Sequence, residues 1–185
     1  KGFTFDMGPS WYWMPDVFEN YFNNFGKKTA DYYNLVRLDP SYAVIFGKEE
    51  TIKVPAKLDE FKAELEKLEP GVSVKLDAFL EQAAFKYQRG IYDLVNRPSL
   101  SLMEFLDLRL FRDVLKMDIF QSMATHLRKY FSHKKIIRLM EFPVLFLGET
   151  AQKIPALYSL MNYADIVLGT WYPKKRGWSL KTKQR

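Results

Sequence analysis

The sequence predicts a helix-rich α+β protein, on three observations. Short β-branched and aromatic runs bounded by turn residues crowd the first 55 residues. From residue 57 onward apolar residues recur at helical spacing. Strand and helix never alternate regularly, as they do in a nucleotide-binding domain. The expected architecture is a short antiparallel or mixed sheet plus a helical bundle, divided into a strand-rich part over 1–55, a helical part over 56–168 and a basic tail over 174–185.

The chain opens on an alternating strand, with Phe3 and Phe5 to one side and Thr4 and Asp6 to the other, and Gly8-Pro9 stops it. The aromatic cluster Trp11-Tyr12-Trp13 follows. Pro15-Asp16 then starts a short helix carrying Val17, Phe18, Tyr21, Phe22 and Phe25, with proline suited to the first turn, and Gly26 ends it. Runs at 35–38, 42–47 and 51–54 read as three strands close enough for an antiparallel meander, punctuated by Asp39-Pro40 and Gly47-Lys48.

The helical pattern begins at 57–69, where Leu58, Phe61, Leu65 and Leu68 share one face, and Pro70-Gly71 breaks it. A longer helix is expected over 75–95, its stripe being Leu76, Phe79, Leu80, Ala83, Tyr87, Ile91 and Leu94. Ser101 followed three residues later by Glu104, after Pro98, is a capping-box start for a helix reaching 108–116. Further helices are expected over 119–131, 134–141 and 155–166, separated by Ser132-His133 and Phe142-Pro143.

Composition narrows the function classes. The 185 residues suffice for one domain with a sizeable core, burying roughly 70% of the unfolded surface. Thirteen of the thirty aromatics fall within the first 46 residues, which suggests an apolar wall, either core or a pocket for an apolar ligand. Six of the 28 basic residues lie after Pro173, where there is no acid; the other 22 balance the 22 acidic residues. The basic balance therefore belongs to the tail and gives no reason to expect a nucleic-acid surface on the folded body. The chain has no cysteine, which excludes disulfides and thiol chemistry. No signal-peptide pattern is present, and the apolar run 142–148 is far shorter than the ~20 residues of a membrane span.

Few motifs carry chemistry. No Gly-x-Gly-x-x-Gly, Walker loop or Gly-x-Ser-x-Gly occurs. His126 and His133 have no neighbouring carboxylate cage, so no metal site is expected and surface or helix-end roles are assigned to both. Asp6 reads as a turn cap or as an acid beside a bound group, and Trp11, Tyr12 and Trp13 as core or ligand wall.

The opening pattern Gly-Phe-x-Phe-Asp-x-Gly-Pro-Ser resembles the segment that follows the first FAD-binding unit in flavin amine oxidases and carotenoid desaturases. Its extension Trp-Tyr-Trp-Met-Pro-Asp-Val-Phe-Glu is similar to bacterial phytoene desaturases. A second matching stretch, Gly169-Thr170-Trp171-Tyr172-Pro173, precedes a glycine pair in that family; here Lys174-Lys175-Arg176 stands in its place. The resemblance thus covers 1–173 and implies an internal fragment that lacks the flavin-binding Rossmann part.

The resemblance implies further expectations. The whole enzyme would be an FAD-dependent oxidoreductase removing hydrogen pairs from a long polyene, with FAD in the parent and none held by the fragment. Gly8 and Pro9 would lie near the flavin, Trp11, Tyr12, Trp13, Trp171 and Tyr172 would bind substrate, and Asp6 or Glu104 would be the acid. Glu104 takes the acid's place in the family's segment, although Met103 replaces the arginine beside it and the capping role competes. A chain of about forty carbons at ~0.8 kcal/mol each costs on the order of 30 kcal/mol to hold in water, so a peripheral enzyme on the cytoplasmic side of a membrane is expected. The apolar helices between residues 100 and 131 are its expected dipping surface, with self-association through exposed apolar surface. Alternatives are a carotene isomerase, a shorter-polyene desaturase, an amine oxidase, or a non-catalytic helical lipid- or protein-binding module.

Overall fold

Turn chemistry and apolar stripes account for most elements of the computed structural model, which describes residues 11–47, 50–95 and 117–174. The expected strand over 3–6, the helix over 101–116 and the tail after Lys174 lie outside the described residues. The chain divides into two compact units, one formed by 1–58 with 165–185 and the other by 59–164.

In the first unit, helix α1 (Pro15–Asn23) begins with proline in its first turn, and the Gly26 amide, at φ 65°, turns back to the Asn23 carbonyl. Strands β2 (Tyr42–Phe46) and β3 (Glu50–Val54) pair antiparallel, Tyr42 opposite Val54. The expected meander does not extend to β1 (Asn34–Arg37), which pairs instead with β4 (Trp171–Lys174). The reason lies at Asp39-Pro40. The Leu38 amide before it donates to the Thr170 carbonyl, whereas the Ser41 amide after it donates to Val54. Proline has no amide to continue either ladder, so the chain changes sheets there. Among the described residues two separate two-stranded antiparallel sheets result.

The second unit is helical. Helix α2 (Leu58–Glu66) buries Phe61 and Leu65, two of the four residues on its expected face. Helix α3 (Val72–Tyr87) starts earlier than the apolar pattern suggested because Glu66 caps it. Its carboxylate accepts the Gly71 amide at 2.7 Å and the Ser73 amide at 2.8 Å. Beyond Tyr87 the helix widens into a π-type turn, Gln88–Leu94. Gly90 in this turn faces Leu160, whose Cδ2 would lie 3.4 Å from an added Cβ, an ordinary contact.

Helix α4 (Met123–Tyr130) starts at Ser122, whose hydroxyl accepts the Thr125 amide, four residues later than the spacing predicted. Helix α5 (Lys134–Glu141) forms as expected, its start held by Glu69, which accepts the Ser132 and His133 amides. The expected helix over 155–166 is instead a composite of a 3₁₀ turn (Ala156–Ser159), one α-turn α6 (Leu160–Tyr163) and a π-type turn (Ala164–Leu168). Phe79 sits at the centre of the core, its ring 5.4 Å from Tyr130 and 5.5 Å from Phe131.

One residue of the α3 stripe is charged. Lys86 is fully buried, one turn beyond Ala83, and its ammonium donates to the Ala156 carbonyl and Ser159 Oγ, both at 3.1 Å. It pairs with Asp118 Oδ2 at 3.0 Å and lies 3.3 Å from His126 Nε2. His126, given a surface or helix-end role from the sequence, is 1% exposed: it falls on the inward face of α4 with Met123 and Leu127. His133 does take a helix-end position. Burial, then the Lys86 charge, pushes the His126 imidazole down to about 4. The neutral ring accepts from Lys86, which leaves its proton on Nδ1, 3.8 Å from Asp118.

Removing one member of this cluster strands its partners. Lys86→Ala is expected to cost ~3–5 kcal/mol in urea denaturation, and Lys86→Met combined with Asp118→Asn much less. The same titrations should show acid sensitivity. The unfolded histidine takes up a proton below its ordinary 6.5 and the folded one only near 4, so stability is complete above that window and falls as pH drops through it.

Candidate functional site

Strand β4 lies between two partners. On one side Trp171 stands opposite Arg37 of β1. On the other it forms an antiparallel bridge with Tyr12, the Tyr12 amide donating to the Trp171 carbonyl at 2.8 Å and the Trp171 amide returning a bond at 2.9 Å. The two sequence stretches singled out for a ligand wall are thereby brought together, although 159 residues separate Tyr12 from Trp171 in the chain.

Alternation along this pairing sorts the aromatics onto two faces. Tyr12, Tyr33, Arg37 and Trp171 share the inner face. There the Tyr12 ring packs 4.6 Å from Phe18 of α1, and its hydroxyl bonds that of Tyr33 at 2.7 Å. Burial and the Tyr33 hydrogen bond raise the Tyr12 phenol well above its usual value. The Arg37 guanidinium lies over the Trp171 ring at 5.9 Å and donates to the Ala56 carbonyl at 2.8 Å. Trp11, Trp13, Tyr172 and Val36 share the outward face, where Tyr172 is 41% and Val36 43% exposed, and the Trp11 and Trp13 rings are 6.0 Å apart. By this alternation Trp11, Trp13 and Tyr172 fall on one face of the pairing and Tyr12 and Trp171 on the other.

Beneath the outward face lies a polar support that the sequence reading missed. The Trp13 indole N–H donates to Thr170 Oγ1 at 2.8 Å, and Thr170 donates to Asp165 Oδ1 at 2.9 Å. The Tyr42 hydroxyl donates to Asp165 Oδ2. Asp165 is 2% exposed, and burial raises its carboxyl to about 6 against the lowering effect of its two donors. The only signal in the sequence was an acid among apolar residues four positions before Gly169. The remaining predicted site residues, Asp6, Gly8, Pro9 and Glu104, lie outside the described residues, and no group of acids and histidines able to hold a metal occurs among those described.

Gly169 explains why this turn needs glycine. Its φ is +88°, and a Cβ there would come within 2.6 Å of Arg37 Nε and 2.7 Å of Cζ. Gly169→Ala is expected to push the guanidinium off Trp171 and cost about 2 kcal/mol or more in chemical denaturation, with a shifted tryptophan emission. An unchanged midpoint would show that the turn tolerates a side chain.

No family model matches the chain. Curated proteins do. The chain is 37% identical over 173 residues to the carotenoid 3,4-desaturase of Haloarcula japonica, covering 93% of this chain and 35% of that protein. It is 31% identical to the zeta-carotene-forming phytoene desaturase of Myxococcus xanthus, over 94% of this chain and 34% of the relative. With the phytoene desaturase of Phycomyces blakesleeanus the identity is 28%, over 94% and 30% respectively. The chain spans about a third of the length of the curated relatives it matches. Over nearly its whole length the chain is thus similar to about a third of proteins named carotenoid and phytoene desaturases.

Proposed function

We propose that this chain supplies part of the substrate-binding side of an FAD-dependent carotenoid desaturase, and that the outward face of Trp11, Trp13 and Tyr172 contacts the polyene. The observation that carries the reading is that face itself: three partly exposed aromatic rings on one side of a paired segment, with Trp13 held by the hydrogen bond of its indole N–H to Thr170. Planar rings suit a flat conjugated chain because they offer broad apolar contact at low conformational cost. Desaturation draws electrons from a chain carbon, and ring faces, negative at their centres, stabilise the cationic character that develops there.

Two helix starts of this chain are unsuited to the flavin. A dinucleotide's pyrophosphate needs free amides at a helix start after a glycine-rich turn. Here the amides at the start of α3 are taken by Glu66, and those at the start of α5 by Glu69. FAD in the parent is therefore assigned to residues other than these, and this part of the chain binds and orients the polyene.

A polyene resides in a bilayer, so contact with a membrane surface belongs to the same reading. Most of the expected dipping region over 100–131 lies outside the described residues, though Phe120 within it is 88% exposed. The helical unit also exposes the consecutive Leu145, Phe146 and Leu147 of its 3₁₀ turn Phe142–Leu147. No helix among the described residues is long and apolar enough to cross a membrane. Peripheral attachment is what these features support.

Quenching of tryptophan emission by a forty-carbon polyene in mild detergent tests the wall. Trp13→Ala with Trp11→Ala should weaken binding about tenfold or more, equivalent to the ~1.4 kcal/mol or more that a lost aromatic contact removes. Affinity indifferent to both changes would sink the assignment of this face. Flotation with liposomes tests the membrane contact: replacing Leu145 and Leu147 by serine should reduce the bound fraction, and equal flotation would remove that turn from the reading.

A further inference from the structure

The direction of every hydrogen bond behind Trp13 is fixed by chemistry. An indole N–H only donates, so Thr170 Oγ1 accepts it and has one proton left, which goes to Asp165. Tyr42 delivers its own proton to the other carboxylate oxygen. The relay ends on a group that, when ionised, only accepts. Asp165 and Thr170 are both buried, at 2% and 1% exposure, so solvent does not compete for these bonds.

We propose that Asp165 is a positioning residue for the outward aromatic face: through Thr170 it fixes the orientation of Trp13, and its protonation loosens that hold. The inference rests on the reading of this face as the polyene-contacting surface, for which ring orientation matters. With an ionised acceptor the Thr170 bond is charge-assisted, about twice as strong as a neutral one. A proton on either oxygen removes that assistance and adds a donor to a site already supplied with two.

The groups around Asp165 leave the charge where the relay needs it. Tyr42 from β2 is the titratable group bonded to it, and burial first, then the carboxylate, raises the phenol, so Tyr42 stays protonated and donating. Arg37 from β1 spends its guanidinium on the Ala56 carbonyl and, at 3.5 Å, on the Ile166 carbonyl. Burial lifts Asp165 to about 6, which puts the change within reach of ordinary buffers.

The test uses the intact chain. The Trp13 indole N–H cross-peak, assigned by its loss in Trp13→Phe, is followed by NMR from pH about 4.5 to 7.5. The wild-type peak should move through one inflection near 6. That inflection should vanish in Asp165→Asn and in Thr170→Val and persist in Thr170→Ser, which restores the hydroxyl. Polyene quenching of tryptophan emission should weaken several-fold in Thr170→Val and recover in Thr170→Ser. A wild-type peak without the inflection, an inflection surviving Thr170→Val, or a folded Thr170→Val with unchanged quenching would each overturn the proposal. Should the inflection behave as expected while the wild-type chain quenches no polyene at all, the relay stands and it is the surface reading that falls.

Discussion

The strand-rich unit depends on the backbone of Trp171. Its amide and carbonyl bond Tyr12 on one side while β1 pairs along the other, and neither contact is local in sequence. Short two-stranded pairs are marginal in water. Here a third extended segment joins through the bridge, and side-chain bonds from Trp13, Arg37 and Trp171 reach into the turn before β4. Closing so long a loop costs entropy that grows only slowly with length. A few well-satisfied bonds and stacked rings are enough to hold the pairing once made.

Each unit buries a titratable group whose proton affinity is shifted, Asp165 in one and His126 in the other, and the two respond to pH in opposite senses. Asp165 binds its proton more tightly when folded than its ordinary 3.8, so keeping it ionised costs stability above about pH 6. Its two hydroxyl donors offset that cost. His126 binds its proton less tightly when folded, so its neutral state stabilises the helical unit at neutral pH and is penalised on acidification. The two clusters differ in what they touch. The Lys86 cluster ties helical segments to one another, whereas the Asp165 relay ends on a half-exposed ring.

Local rules were legible in the sequence where their causes were local. Pro15 at a helix start, Gly26 at its end and the interval Lys134–Glu141 follow from residues within a turn of one another. The start of α3 was misjudged because Glu66, on the preceding helix, supplies the cap across Pro70-Gly71. The meander failed for a different reason: adjacency predicts hairpins, and nothing in the residues of β1 announces a partner beyond residue 170. Aromatic character and family resemblance single out Trp11, Trp13 and Tyr172, but their sorting onto the opposite face from Tyr12 and Trp171 needs the register. Lys86 and His126 were hidden because a charged residue on an apolar stripe reads as a solvated one until its partners from distant segments are known.

A polar relay behind an apolar surface answers a physical difficulty. An aromatic ring facing solvent has little packing on its outer side, so its orientation must be fixed from within. Apolar contact alone is non-directional and lets a ring pivot. A hydrogen bond from the indole nitrogen supplies direction, and its value rises when the acceptor is buried and itself oriented. Thr170 alone would rotate about its own side-chain bond; its proton, claimed by Asp165, fixes that rotation. Asp165 alone would be an unsupported buried charge, and Tyr42 supplies its second donor. Each member thus requires the next. The order Trp13, Thr170, Asp165, Tyr42 joins the first described segment, the turn before β4 and β2 into one support for the outward face.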